Sequence, residues 1–168
     1  ITVAVTKYAA IDQVRELIEL GHVDLGENQV QNLLQRAAQI DEFLQRHRQL
    51  SPGAGKSSTM PRQVRWHMIG HLQRNKAKFA PRFALVHSLD SLRLAEALEK
   101  VGEKAGVRLK VLVEVNLGRE PQKHGVLEEE LPELLPRLRE MPHLEVLGLM
   151  TVPPIGPEAV VRPIFRRL

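Results

Sequence analysis

The sequence predicts an α/β fold in which about six strand–helix units follow one another along 168 residues. Short apolar runs rich in β-branched residues alternate with longer stretches whose apolar residues recur at helical spacing, which is the pattern of repeated βα units. With 43% hydrophobic residues the chain can bury one core, so we predict a single domain over residues 1–168. The pattern fits either a doubly wound sheet or most of a (β/α)8 barrel, which ordinarily needs about 250 residues.

The strands are predicted where β-branched and other apolar residues form runs too short for buried helices. These runs cover residues 1–6, 23–26, 64–70, 85–89, 109–116 and 144–152. The first run begins at the first residue, and a predicted helix over 157–168 still continues at the last one. We therefore expect the domain to be incomplete at both ends, with its C-terminal part missing from this sequence.

Each predicted helix follows a strand and carries apolar residues three and four positions apart. The first helix is expected to begin at Asp12, a residue type that caps helices, and to end at Gly21. The others lie around 30–37, 72–79, 91–105, 128–140 and 157–168. Residues 51–61 break every periodicity, which predicts a surface loop that only links two elements.

The composition argues against several classes of function. The chain has no cysteine and therefore no disulfide or thiolate metal site. No apolar stretch approaches the roughly 20 residues of a membrane span, so we expect a cytoplasmic protein with no membrane partner. The 24 Lys and Arg against 20 Asp and Glu are spread along the chain, and aromatic residues make up only 4%. Because a nucleic-acid site would cluster basic and aromatic side chains, we predict none, and an anion- or nucleic-acid-binding module stays an alternative.

Candidate functional residues are expected at the carboxyl ends of the strands, where parallel α/β folds place their ligands. Polar or small residues occupy these ends, namely Lys7, Glu27, Asn28, Gly70, His71, Ser88, Asp90, Asn116, Met150 and Thr151. Lys7 shares a predicted strand face with Val3 and Val5, while Tyr8 is expected to point away. If that face is interior, burial favours the neutral amine, which can condense with an aldehyde. From spacing alone, an ordinary surface lysine is the favoured interpretation.

Two motifs that suggest other chemistry are rejected on their spacing. The segment GAGKSS at 53–58 ends like a phosphate-binding P-loop, but the position that requires the first glycine is Leu50. His67 and His71 lie four residues apart in a predicted strand, where they are separated by roughly 13 Å, too far to share one ion. We therefore predict no metal site. Glu114 shares a strand face with Asn116, and its burial would require a partner that the sequence does not identify.

Taken together and in order, six segments resemble the pyridoxal-phosphate homeostasis proteins, whose barrel is similar to the N-terminal domain of alanine racemase. The segments are AVTK at 4–7, LGENQVQ at 25–31, WHMIGHLQRNK at 66–76, VHSLDSLRLA at 86–95, VLVEVNLGREPQKHGV at 111–126 and LGLMTVPP at 147–154. WHMIGHLQRNK and GLMTVPP are the specific ones. The resemblance implies a TIM-type (β/α)8 barrel, of which about six βα units are present here.

The resemblance also implies the cofactor and its binding residues. Lys7 would hold pyridoxal 5′-phosphate as an aldimine, and Asn28, Asn116 and Met150 would lie around the cofactor ring. The implied function is a cofactor carrier that buffers the aldehyde and releases it to apo-enzymes, as a monomer or weak dimer. The family's phosphate-binding segment, which lies on two further strands, does not occur before Leu168, in line with the expected missing C-terminal part.

A racemase-like enzyme acting on amino acids is the alternative that uses the same Lys7. Racemization needs two bases on opposite faces of the substrate α-carbon, and in the related racemases the second base is a tyrosine from an additional domain. Tyr8 is the one tyrosine of this sequence and is expected to face away from Lys7. We therefore predict binding without turnover and no catalytic residue. The roles of Lys123, which matches a family lysine near the site, and of Lys76 stay open.

Overall fold

Parallel strands and helices alternate along the chain in the computed structural model, which describes residues 1–50 and 60–168. The chain divides into two compact units, Ile1–Met68 and Ile69–Leu168. The P-loop-like segment 53–58 and most of the predicted loop 51–61 lie outside the described residues. Within the described part, no helix combines the length and the apolar character needed to cross a membrane.

The first unit contains three parallel strands with β2 in the middle. Its elements are, in chain order, β1 (Ala4–Val5), α1 (Ile11–Glu19), β2 (Asp24–Glu27), α2 (Val30–Leu50) and β3 (Arg65–Met68). The register pairs Leu25 of β2 with Ala4 on one side and Trp66 on the other. Every residue of β2 is buried, because the strand is paired on both edges and α2 packs against it.

Apolar residues at helical spacing on α1 and α2 contribute to the core of this first unit. The spacing that predicted a helix over 30–37 continues through Ile40 and Leu44, so α2 runs much further than the predicted segment. The side chains that lose almost all contact with solvent are Val14, Ile18, Leu25, Leu33, Ile40 and Met68.

The N-cap of the first helix is Ala10, two residues earlier than the predicted cap Asp12. Asp12 is not the cap: it lies inside α1 and pairs with Arg15 at 2.9 Å. The helix starts after Ala10, whose backbone N–H donates to the side-chain oxygen of Gln13 at 2.9 Å. At the other end the prediction is confirmed, because Gly21 adopts a left-handed φ of +89° and its N–H donates to the Ile18 carbonyl.

The second unit also contains three parallel strands, with β5 in the middle. Its elements are a 3₁₀ helix (Arg74–Arg82), β4 (Leu85–Leu89), α3 (Leu92–Ala105), β5 (Leu109–Glu114), a second 3₁₀ helix (Glu128–Glu130), α4 (Leu131–Arg139), β6 (Leu144–Met150) and α5 (Glu158–Arg167). The register pairs Val111 of β5 with Val86 and Val146 on its two sides. The core is formed mainly by Leu89, Leu94, Leu98, Val111, Val113 and Leu138.

Most predicted elements of the second unit occur, with strands that end earlier than predicted. The runs 109–116 and 144–152 contain strands that stop at Glu114 and Met150. The polar residues predicted at strand ends therefore lie mostly in the loops that follow. The boundaries of α3 are as expected: Ser91 accepts a hydrogen bond from the Leu94 N–H, and Gly106 ends the helix in the left-handed conformation.

A buried carboxylate at the start of β2 joins that strand to β3. Asp24 accepts hydrogen bonds from Arg65 at 2.7 and 2.5 Å, and its Oδ1 lies 3.0 Å from the Nε2 of His67. The hydrogen bonds from Arg65, helped by His67, lower the pKa of Asp24 to about 2 against the opposing effect of burial. The His67 ring therefore contacts Asp24 within the same unit.

We predict that Asp24→Asn lowers the free energy of unfolding by about 1 kcal/mol at pH 7, less than the full pKa shift implies because Arg65 is half exposed. The folded-state pKa lies below the ordinary 3.8, so the contribution is complete above about pH 5 and is lost as the pH falls toward 2. Urea unfolding at pH 7 and pH 3 measures this, and the deficit should shrink at pH 3. Asp12→Asn, which breaks only the exposed pair with Arg15, is the matched control. An equal deficit at both pH values would contradict the prediction.

Candidate functional site

Lys7 lies in the turn that directly follows β1, with a half-buried side chain. Its Nζ is 5.1 Å from the centroid of the Tyr8 ring, and Tyr8 itself is 91% exposed. The prediction that Tyr8 faces away from Lys7 is therefore wrong. The reason is that β1 ends at Val5, so the alternation of a strand does not extend to residues 7 and 8.

A buried ionic network holds the turn that carries Lys7. The hydroxyl of Thr6 donates to Glu27 Oε1 at 2.6 Å, and the Nε of Arg36 lies 3.0 Å from the same oxygen. Arg36 also donates to the Ala9 carbonyl at 2.8 Å. Glu27 has no exposed surface, and Arg36 is only 18% exposed. The turn is thus fixed on both sides of Lys7, from β2 and from α2. The sequence named Glu27 as a strand-end residue but gave no reason to select Arg36.

Asn28 directly follows β2 and is half-buried. Because β1 and β2 are paired in parallel, with Val5 opposite Gly26, Lys7 and Asn28 follow the carboxyl ends of two adjacent strands. A backbone hydrogen bond of 3.0 Å from the Thr6 N–H to the Gly26 carbonyl extends this pairing beyond the strands. The strand-end rule therefore brings these two predicted site residues to the same edge of the first unit.

Asn116 and Met150 follow or end adjacent strands of the second unit. Met150 is half-buried at the end of β6, opposite Glu114 of β5. The side-chain amide of Asn116 is used within the loop 116–126: its Nδ2 donates to the Glu120 carbonyl at 2.9 Å, and its Oδ1 accepts from the Glu120 N–H at 3.2 Å. Sequence analysis did not anticipate this, because the loop conformation is needed to identify the partner.

Lys123, in the same loop, differs from Lys7 in how its amine is used. Its Nζ donates to the carbonyls of Val152 and Pro153 at 3.2 and 3.0 Å and lies 2.5 Å from Glu120 Oε1. These contacts tie the loop to the segment that follows β6, and they engage the Lys123 amine in hydrogen bonds. Lys76 is a half-buried residue of the 3₁₀ helix Arg74–Arg82.

The expected burial of Glu114 is confirmed, with the residue 8% exposed at the end of β5. Burial raises the pKa of its carboxyl, and the nearby charge of Asp90 raises it further, while His71 acts in the opposite direction. The charged groups that act on Glu114 are thus Asp90 after β4 and His71 before the 3₁₀ helix, and of these only His71 favours the ionised carboxylate.

We predict that Glu27→Gln lowers the free energy of unfolding by about 3 kcal/mol, because Arg36 loses its counter-charge in a mostly buried place. Chemical denaturation at neutral pH measures the effect. Glu42→Gln is the matched control on α2, since Glu42 forms only an exposed pair with Arg46 and its replacement should change little. If both variants were equally stable, the network around Glu27 would not have the role inferred from its burial.

Comparison with known proteins shows similarity along nearly the whole chain. The family model of the alanine racemase N-terminal domain matches residues 3–162. The pyridoxal phosphate homeostasis protein of Aquifex aeolicus is 37% identical over 158 residues, which cover 92% of this chain and 60% of that protein. Its counterpart from Deinococcus radiodurans is 35% identical over 164 residues, covering 97% of this chain and 68% of that protein.

The structure of PipY from Synechococcus elongatus, solved with pyridoxal phosphate bound, superposes with a TM-score of 0.74 at 25% identity, covering 98% of this chain and 74% of PipY. The barrel type that the resemblance implied is thus confirmed, with six βα units present. The prediction of one domain over 1–168 stays a prediction. The chain spans 60% of the length of its Aquifex relative. It belongs to the alanine racemase N-terminal domain family and, within it, to the pyridoxal phosphate homeostasis proteins.

Proposed function

We propose that the protein binds pyridoxal 5′-phosphate on Lys7 and holds it reversibly as a carrier. The observation that carries this proposal is the state of the Lys7 amine. It is half-buried on a turn that the Glu27 network fixes, and among residues 1–50 and 60–168 it has an aromatic neighbour but no carboxylate or carbonyl partner. An amine in this state is available to an aldehyde. The names of the relatives and the cofactor bound in PipY support the same assignment.

The chemistry requires only the amine and a reversible condensation. Pyridoxal phosphate supplies an aldehyde carbon; the neutral Lys7 Nζ attacks it, and the carbonyl oxygen leaves as water with the two amine protons. Water reverses the reaction, so the same residue can capture and release the cofactor. A fixed turn favours capture, because less conformational freedom is lost on binding.

We propose that Asn28, Asn116 and Met150 also contact the cofactor. Each follows or ends a parallel strand, which is where α/β folds bind ligands. The three residues suit different tasks: Asn28 has an amide for a hydrogen bond, Met150 offers an apolar thioether, and Asn116 holds its loop at the strand end. The proposal further includes transfer of the cofactor to apo-enzymes of the cytoplasm by a monomer or weak dimer.

Carrying without turnover remains part of the proposal. Tyr8 is the residue next to Lys7, and its ring lies beside the Lys7 amine. Racemization requires a second base across the substrate α-carbon from the first. The Tyr8 phenol adjoins the Lys7 amine in the same turn and is therefore poorly placed to act as that second base. This conclusion holds even though Tyr8 does not point away from Lys7 as predicted.

We predict that adding pyridoxal phosphate to the protein produces a visible absorbance band of a lysine adduct, and that Lys7→Ala abolishes the band because the nucleophile is gone. Borohydride reduction followed by peptide mass mapping should locate the label on the peptide that contains residue 7. Lys78→Ala removes an exposed lysine of the 3₁₀ helix and should leave the band unchanged. Retention of the band and of the label by Lys7→Ala would exclude the assignment.

We also predict that the protein loaded with pyridoxal phosphate does not exchange the α-proton of amino acids faster than free pyridoxal phosphate does. Proton NMR in deuterated water, with alanine and other amino acids as test substrates, measures this exchange. If the exchange depended on the protein and were lost in Tyr8→Phe, the result would contradict the carrier assignment and indicate a racemase-like enzyme.

A further inference from the structure

Three side chains of the second unit converge on one point, namely His71, Asp90 and His124. The Oδ2 of Asp90 lies 2.7 Å from the Nδ1 of His71 and 3.9 Å from the Nδ1 of His124. The two imidazole rings are stacked, with centroids 3.9 Å apart and planes inclined by 11°. Across residues 1–50 and 60–168, this is the one group of three histidine or acidic residues whose ligand atoms all lie within 4.8 Å of one another.

These separations suit one ion bound by two imidazole nitrogens and one carboxylate oxygen. Ligand atoms at about 2.0–2.2 Å from a tetrahedral zinc ion are about 3.4 Å from each other, and the two distances to Asp90 fall on either side of this value. The side chains of His71 and His124 are 38% and 56% exposed and can turn toward a common ion, while Asp90 is only 9% exposed.

The charges around this cluster favour a cation. Asp90 is a nearly buried carboxylate, whose charge a bound cation would balance. The stacked rings of His71 and His124 can each present a ring-nitrogen lone pair, and a single divalent cation can accept both lone pairs together with the carboxylate.

The fold holds two of the three residues in place before any ion arrives. Asp90 directly follows β4, and its second oxygen accepts a hydrogen bond from the Ser91 hydroxyl at 3.1 Å. His124 lies two residues before Val126, which is fixed to the end of β5 by two backbone hydrogen bonds of 2.9 Å. Such support is what orients the ligands of metal sites in proteins.

The cluster is also accessible. His71 and Asp90 line an open cavity of about 770 Å³ whose walls include Arg74, Asn75 and Arg93. An ion there would keep at least one position for water or a small anion, which the two arginines would attract. The set of two nitrogens and one oxygen suits Zn²⁺ and neighbouring transition metals better than Mg²⁺ or Ca²⁺.

We infer that His71, Asp90 and His124 form a binding site for a zinc-like divalent cation. Sequence analysis weighed only the pair His67 and His71, and the separation expected for these two stays a prediction. It had no means to combine His71 with two residues that come from the loops after β4 and β5.

The test is a titration of the metal-free protein without pyridoxal phosphate, so that its result does not depend on Lys7. Co²⁺ should produce the visible bands of a cobalt ion with nitrogen and oxygen ligands, at one ion per chain. Zn²⁺ affinity is measured by competition with a chromophoric chelator. His124→Gln and Asp90→Asn should each weaken Zn²⁺ binding by at least about tenfold. His47→Gln, on α2 of the other unit, is the matched control and should bind as the unchanged protein does.

The inference is overturned by any of three results, with circular dichroism confirming that each variant is folded. These are a Zn²⁺ dissociation constant above about 1 mM, more than one weak site per chain, or equal affinity in the unchanged protein and both cluster variants. The cluster would then be a hydrogen-bonded network alone. Loss of binding in His124→Gln, which changes an exposed side chain, would support the site even if Asp90→Asn failed to fold.

Discussion

A carboxylate with no exposed surface must find its partners inside the protein, and Glu27 is such a group. It joins the end of β2 to Thr6, which precedes Lys7, and to Arg36 on α2, which in turn binds the carbonyl of Ala9. One buried charge therefore ties the residue after the first strand, and the turn that follows, to β2 and α2. The availability of Lys7 depends on this arrangement, because a turn without it would be free to adopt other conformations.

In the second unit, hydrogen bonds to backbone groups hold the loop after β5. The loop after β5 satisfies its own polar atoms, since Asn116 forms hydrogen bonds with both backbone groups of Glu120. Lys123 adds contacts to the chain beyond β6. Two lysines near strand ends are thus distinguished by their partners. Lys123 stabilises a loop through carbonyls and a carboxylate, whereas Lys7 has neither kind of partner among residues 1–50 and 60–168. Proximity to a strand end alone would not separate them.

The order and type of the elements could be predicted because burial enforces local patterns, such as the helical spacing of Val14 and Ile18. The strand-end rule and the sequence resemblance likewise selected Lys7 and Asn28, which follow two adjacent strands; their contact with the cofactor stays a prediction. The errors arose where the deciding contact was not local or where an element ended early. Asp12 has the usual side chain for a cap, yet Gln13 binds the free N–H at the start of α1. The predicted orientation of Tyr8 assumed that β1 extends through residues 7 and 8, whereas β1 ends at Val5, two residues before Lys7. Contacts across the fold, such as that of Arg36, leave no periodic trace in the sequence.

Tyr8, the neighbour of Lys7, can serve as an intrinsic chemical label. It is the only tyrosine among the 168 residues, and its side chain is almost fully exposed to solvent. Selective nitration of phenols therefore reports on a single location within these residues, one side chain away from the amine. Ordinarily, isolating such a signal requires engineering every other tyrosine out of a chain.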